Sequence, residues 1–235
     1  MKETFLGVDV CTYTYEQLVA KLMEDIDNNR KSFIVAINPE KIMKAQQDDR
    51  LRELLNQATY PIPDGIGVVL ASILKRGRIR SRVTGIDMML RLCQEAAARG
   101  KKIFLYGAKP GVADEAKRRL EKMFPGIQIV GTMHGYEKDE QVIKEAINQS
   151  GADILFVALG SPAQEYWIAN HMHSLSPKVY QGVGGSFDVI SGRIKRAPLL
   201  VQKLGLEWLY RLLKEPWRWK RQLALPKFLI KVIRE

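Results

Sequence analysis

Short runs of β-branched and aliphatic residues alternate along the chain with amphipathic stretches of helical period. Five runs predict strands: Phe33–Ile37, Lys102–Tyr106, Gln128–Val130, Ile154–Leu159 and Val179–Val183. Between them, apolar residues recurring every three or four positions predict helices at Tyr15–Asn28, Pro39–Gln57, Gly65–Lys75, Ile86–Ala98, Gly111–Phe124, Glu140–Gln149 and Pro162–His173. Tyr60-Pro61-Ile62-Pro63 reads as a poor strand, because proline removes a ladder donor. Strand–helix alternation of this kind predicts an α/β fold, a largely parallel sheet with helices on both faces. Ligands of such folds bind outside the carboxyl ends of the strands, so the loops that follow the strands are where chemistry is expected.

The pattern changes near Ser191-Gly192-Arg193. This is the expected boundary between a body, 1–190, and a basic helical appendage, 191–235. The last 46 residues hold twelve Lys or Arg against three Glu, about +9, while the rest of the chain is near neutral within a total of +11. Three of the four Trp, namely Trp208, Trp217 and Trp219, fall in the appendage, and Pro226–Arg234 alternates apolar residues with cations. That composition suits an amphipathic helix lying on an anionic membrane surface. Phosphate binding to a nucleic acid, and inward packing as a terminal helix pair, are the competing readings. The apolar content of Phe228–Ile233 exceeds what phosphates need and favours the membrane. No apolar run approaches the roughly 20 residues needed to span a bilayer, and Met1-Lys2-Glu3-Thr4 does not open a signal peptide. A cytoplasmic protein, peripheral at the inner membrane face, is expected.

Four strand-end loops carry candidate chemistry. Asn38, followed by Pro39, is placed either to cap a helix or to touch a ligand. Asp64 is a carboxylate at a helix start beside Gly65 and Gly67, but the spacing is wrong for a dinucleotide fingerprint. Gly107, in Tyr106-Gly107-Ala108-Lys109, opens a helix whose free N–H groups suit a diphosphate; a plain strand-to-helix turn fits equally. Gln164 with Ser161 matches a capping box. Beyond them, Gly184 and Gly185 permit backbone conformations closed to other residues, and Asp188 is a carboxylate able to accept from a ribose or a base.

The chemistry not indicated is equally informative. There is no P-loop, and His134, His171 and His173 form no zinc pattern. Cys11 and Cys93 read as reduced apolar residues. Asp25-Ile26-Asp27 has the form of a metal–diphosphate motif but falls in a helix, where it reads as a solvated face. Neither metal nor cofactor is expected. A nicotinamide-dependent oxidoreductase using the glycine loops, or a nucleic-acid-binding module using the tail, are the alternative classes.

The motifs Asn38-Pro39-Glu40, Pro63-Asp64-Gly65, Arg82-Val83-Thr84-Gly85, Gly160-Ser161-Pro162-Ala163-Gln164-Glu165 and Val183-Gly184-Gly185-Ser186-Phe187-Asp188 occur in one order. With Arg196-Ala197-Pro198, Gly205-Leu206-Glu207-Trp208 and Glu215-Pro216, they resemble the WecG/TagA/CpsF glycosyltransferases over nearly the whole chain. The resemblance implies a Rossmann-like fold without a metal motif. It implies transfer of a sugar of N-acetylmannosamine type from a UDP-sugar donor to N-acetylglucosamine on an undecaprenyl diphosphate, a lipid-linked acceptor. The TagA branch makes the linkage unit of wall teichoic acid. Carried onto this sequence, Asp64 becomes the general base, and Asn38 and Gln164 become contacts in its pocket. Gly184, Gly185 and Asp188 become the nucleotide cradle. Arg82, Arg211, Arg218 and Arg221 become cations for a diphosphate, a task suited to bidentate guanidinium. Nucleic acid is not an expected partner; a homo-oligomer, formed through the tail-docking groove when no membrane is present, is.

Overall fold

The computed structural model describes residues 1–235 except 215, 217, 218 and 220–222, together with the side chains of 203 and 211. In chain order the elements are β1 (Lys2–Phe5), β2 (Val8–Cys11), α1 (Tyr15–Asp27), β3 (Ser32–Ile37), α2 (Pro39–Ala45), α3 (Asp49–Gln57) and β4 (Tyr60–Pro63). Then follow α4 (Ile66–Leu74), α5 (Gly85–Arg99), β5 (Lys102–Gly107), α6 (Val112–Met123), β6 (Gln128–Met133), α7 (Glu140–Gln149), β7 (Ile154–Ala158) and α8 (Ala163–His171). The chain closes with β8 (Val179–Gly182), α9 (Ser186–Ile190), α10 (Leu199–Lys203), α11 (Glu207–Lys214) and α12 (Ala224–Arg234). Six strands form one parallel sheet in the order β4-β3-β8-β7-β5-β6, and β1 and β2 pair antiparallel apart from it. The expected Rossmann-like α/β architecture is present.

Side chains alternate across a strand, and this sheet is apolar on both faces. Ile34, Ile62, Leu105, Phe156 and Val179 face one core with Leu18, Leu22, Met89, Leu92 and Leu120. Phe33, Val35, Phe104, Leu155 and Tyr180 face the other with Phe5, Ile42, Val68, Ile147 and Phe228. Cys11 and Cys93 are buried free thiols, and burial raises the Cys11 thiol to about 11. Phe228 and Val232, from the appendage, are thus part of the second core, and α12 packs on α2 and α4.

Three expectations need correction. Tyr60–Pro63 is a strand, paired with Ile34–Ile37. Its prolines are tolerated because β4 lies at the edge of the sheet, with one side free of a ladder. The single helix expected over 39–57 is two, because Asp48 caps a new start by accepting from Leu51 N. The solvated reading of Asp25-Ile26-Asp27 holds for Asp27, which meets Lys101 at the surface, but not for Asp25. Asp25 is buried and accepts from Ser32 Oγ, from Tyr60 Oη at 2.8 Å and from Arg30 Nε at 2.9 Å. It ties α1 to β3 and β4. Asp25→Ala is expected to lower stability by about 3 kcal/mol, since Ser32 and Tyr60 would each lose a buried partner; urea denaturation reads this directly.

Candidate active site

The carboxyl ends of β4, β3, β8 and β7 open onto a cavity of about 560 Å³. Asn38, Asp64, Arg82, Gln164, Gly184 and Gly185 all line it, with Lys41, Thr84 and Ser161 between them. It lies where β3 and β8, far apart in sequence, are neighbours. There the loops leaving the sheet diverge and leave a crevice.

Local bonds explain how each side chain arrives. Asp64 follows β4, and its N–H donates to Ile37 O at 2.8 Å, which fixes the carboxylate next to the end of β3. Gly65 then takes φ +91°, a left-handed turn suited to glycine, before α4 begins. Val83 N donates to Pro63 O at 2.7 Å and so brings Arg82 and Thr84 to the same cavity. Tyr15 Oη accepts from Thr84 N at 2.8 Å, and burial raises the Tyr15 hydroxyl above its ordinary pKa, so it stays neutral there. Gly67 has a packing reason: a Cβ there would lie 2.5 Å from both Pro39 Cγ and Leu225 Cδ1. The two glycines of Gly65-x-Gly67 therefore have separate causes, the positive-φ turn at Gly65 and the close approach of α4 to α2 and α12 at Gly67.

Asn38 is a cap, as one reading of its position expects: its Oδ1 accepts from Lys41 N at 2.9 Å. It also reaches the cavity wall, so cap and pocket residue are compatible. Gln164 departs from the capping box. α8 has Pro162 at its cap position with no side-chain cap bond, and Gln164 is buried with its amide turned to β8. There its Oε1 accepts from Gly184 N at 2.9 Å and its Nε2 donates to Glu165 Oε1 at 3.1 Å. Ser161 and Gln164 have the right spacing for a box, but the nearby glycine turn offers Gln164 a partner from another strand.

A second cavity of about 300 Å³ lies farther along the same sheet edge, over β7, β5 and β6. It is lined by Lys109, Tyr136, Leu159 and Asp188 among others. Asp188 thus opens here, beyond the Gly184-Gly185 turn. Gly107 ends β5 at φ +121°, and a Cβ would lie 2.5 Å from Ala158 O. The glycine allows β5 and β7 to close up beneath this cavity.

The appendage roofs the larger cavity with Gly205, Glu207, Trp208, Ala224 and Leu225. It is fastened by charges of alternating sign. Arg196 donates to both oxygens of Asp87, at 2.6 and 2.8 Å, and its Nε reaches Glu207 Oε1 at 3.3 Å. The other Glu207 oxygen accepts from Arg82 Nη1 at 2.7 Å, and Arg82 also donates to Gln202 O. Arg82 therefore lies in the cavity but already holds a carboxylate from the roof. Arg196, Glu207 and Asp87 had no role assigned from the sequence; only their charge and the motifs around them marked them. Arg218 and Arg221 lie outside the described residues, as does the side chain of Arg211. Among the described residues no group of three or more His, Cys, Asp or Glu is placed to hold a metal.

Burial alone would raise Asp87, but its bonds from Arg196 and Thr84 outweigh this and hold the carboxyl below the ordinary aspartate value. A depressed pKa contributes stability above the unfolded value, about pH 4, that is lost as pH falls below it. Asp87→Asn is accordingly expected to cost about 2 kcal/mol at pH 7. The gap from wild type should narrow below about pH 4, read by urea denaturation at both pH values.

Residues 3–235 match the sequence profile of the glycosyl transferase WecG/TagA/CpsF family. The chain is 42% identical over 209 residues to an N-acetylglucosaminyldiphosphoundecaprenol N-acetyl-beta-D-mannosaminyltransferase of Bacillus spizizenii, covering 89% of this chain and 81% of that protein. It is 41% identical over 210 residues to the enzyme of the same name from Bacillus subtilis, covering 89% and 82%. With a parallel α/β sheet, a strand-end cavity and a match along nearly its whole length, the chain belongs to the glycosyl transferase WecG/TagA/CpsF family.

Proposed function

We propose that the protein moves N-acetylmannosamine, or a closely related sugar, from UDP to N-acetylglucosamine on undecaprenyl diphosphate, with inversion at the transferred carbon. The observation that carries this is one cavity holding Asp64 beside Asn38, Arg82, Gln164 and the Gly184-Gly185 turn, in a chain with two mannosaminyltransferase relatives above 40% identity.

In this reading the Asp64 carboxylate takes the proton from the acceptor hydroxyl. The freed oxygen forms a bond to the sugar C1 as the bond from C1 to the UDP oxygen breaks. UDP leaves with the electron pair, and the proton remains on Asp64. A base and a leaving group on opposite faces of the sugar give inversion, and a half-buried carboxylate at the cavity wall is suited to the first role. Arg82, which lines the cavity, is assigned to the diphosphate in this reading, and Arg211, Arg218 and Arg221 of the appendage are the further cations it calls on. The nucleoside end extends past the glycine pair toward Asp188, whose carboxylate accepts from ribose or base. No described helix is long and apolar enough to cross a membrane. The exposed Ile230 and Ile233 alternate on α12 with exposed Lys227, Lys231 and Arg234, a surface suited to an anionic leaflet where the lipid acceptor resides.

The test is incubation with a panel of UDP-sugars and a short-chain lipid diphosphate bearing N-acetylglucosamine, with products read by mass. A disaccharide lipid, heavier by one N-acetylhexosamine residue and formed from UDP-N-acetylmannosamine, is the expected product. An unmodified acceptor with every UDP-sugar would overturn the reading.

A further inference from the structure

At the wall of the candidate site lies a buried ion pair bonded to a pocket side chain. Lys41 Nζ meets Glu165 Oε1 at 2.8 Å, and the two side chains are 7% and 1% exposed. The same Glu165 oxygen accepts from Gln164 Nε2 at 3.1 Å, and Gln164 Oε1 accepts from Gly184 N at 2.9 Å. Lys41 itself is held by the Asn38 cap through its backbone N–H. One continuous chain of bonds thus links the loop after β3 to the glycine turn after β8.

The direction of that chain follows from what each group is able to do. A carboxylate accepts only, and an ammonium donates only. A primary amide does both, from opposite ends. With Glu165 on one side, Gln164 must present its NH₂ there and is left with its carbonyl toward Gly184. Turned over, the amide would set oxygen against carboxylate and NH₂ against the Gly184 N–H. Gly182 completes the arrangement, since a Cβ there would lie 2.6 Å from Gln164 Nε2. The other oxygen, Glu165 Oε2, is buried with no hydrogen-bond partner among the described residues, so Lys41 and Gln164 both converge on the one oxygen Oε1. A buried ion pair is weak evidence of stabilisation in itself.

We infer that Glu165, neutralised by Lys41, is a positioning residue that orients the Gln164 amide and through it the Gly184-Gly185 turn on which the donor diphosphate rests. The effect on ligand rests on the donor assignment proposed above; the effect on the turn does not.

Breaking the pair from one side would strand a buried charge, so the test uses two double variants that carry none. Lys41→Met/Glu165→Gln keeps a carbonyl oxygen able to accept from Gln164, whereas Lys41→Met/Glu165→Leu removes it. Equal melting temperatures for the two are expected. Hydrogen exchange of the Gly184 amide, followed by NMR, should be about tenfold faster in the Leu variant, the scale of one lost hydrogen bond, and near wild type in the Gln variant. UDP affinity by calorimetry should fall about tenfold in the Leu variant relative to the Gln variant. Equal Gly184 exchange in the two would overturn the positioning role. Different exchange with equal UDP affinity would overturn its bearing on the donor. Different exchange in a protein whose wild type binds no UDP would support the positioning role and sink the donor assignment instead.

Discussion

Replacing Asp64 by Asn is expected to lower kcat by about 10²–10⁴-fold while UDP affinity stays within about twofold of wild type. The amide has the same shape, so the backbone bond from residue 64 to Ile37 O and the turn at Gly65 are preserved. What it lacks is a lone pair basic enough to take the acceptor proton, and a positioned base contributes about that range of rate. The donor in the proposed mechanism is held elsewhere, by the glycine turn and by cations, so binding and chemistry should separate. Steady-state kinetics with a soluble short-chain acceptor, together with calorimetric titration of UDP, measure the two sides. Turnover within about threefold of wild type, or UDP affinity lost in step with turnover, would remove Asp64 from the role of base.

The second large effect is expected from the tail. Deleting residues 196–235 should abolish co-flotation with anionic vesicles and take turnover with it, since the deletion also removes Glu207, Trp208 and Leu225 from the cavity roof. It strips Phe228 and Val232 from the core as well, uncovering Phe5, whose ring packs edge-on to Phe228 at 6.4 Å between centroids. The exposed apolar face should then drive self-association, visible by analytical ultracentrifugation. A gentler variant isolates the membrane contribution. Lys227→Gln/Lys231→Gln/Arg234→Gln alters only exposed positions and leaves Phe228 seated. Each basic residue near an anionic leaflet is worth about 1 kcal/mol, so vesicle partitioning should fall by about two orders of magnitude. Activity on a detergent-dispersed acceptor should persist. If the triple variant floats as wild type does, α12 is not the membrane contact.

The local part of this structure was legible in the sequence. Period-two and period-3.6 patterns report on neighbours a few residues away, so five of the six strands of the parallel sheet and most helices were readable, and with them the strand-end loops that meet at the larger cavity. Asn38 was readable as a cap for the same reason, its partner Lys41 being only three residues distant. The edge strand Tyr60–Pro63 was not, because whether a proline is tolerated depends on which side of the strand lacks a neighbour, a property of sheet order. The hairpin of β1 and β2, four residues a strand, was too short for its period to stand out.

An α/β body with a basic, Trp-bearing end, and the identity of the side chains offered at the strand ends, follow from residue order and composition. Tertiary structure alone decided how they are shared out. It turned Gln164 from a cap to Gly184, set Asp188 on a second cavity, gave Arg82 to Glu207, and sank Phe228 of the tail into the core of the body. Each of these depends on a partner at least 20 residues away or on a cavity wall built from several strands, and contacts of the same kind join Leu6 N to Glu235 of the tail. Periodicity carries no information at that range, since the pairing is selected by burial and charge only after the chain has closed on itself.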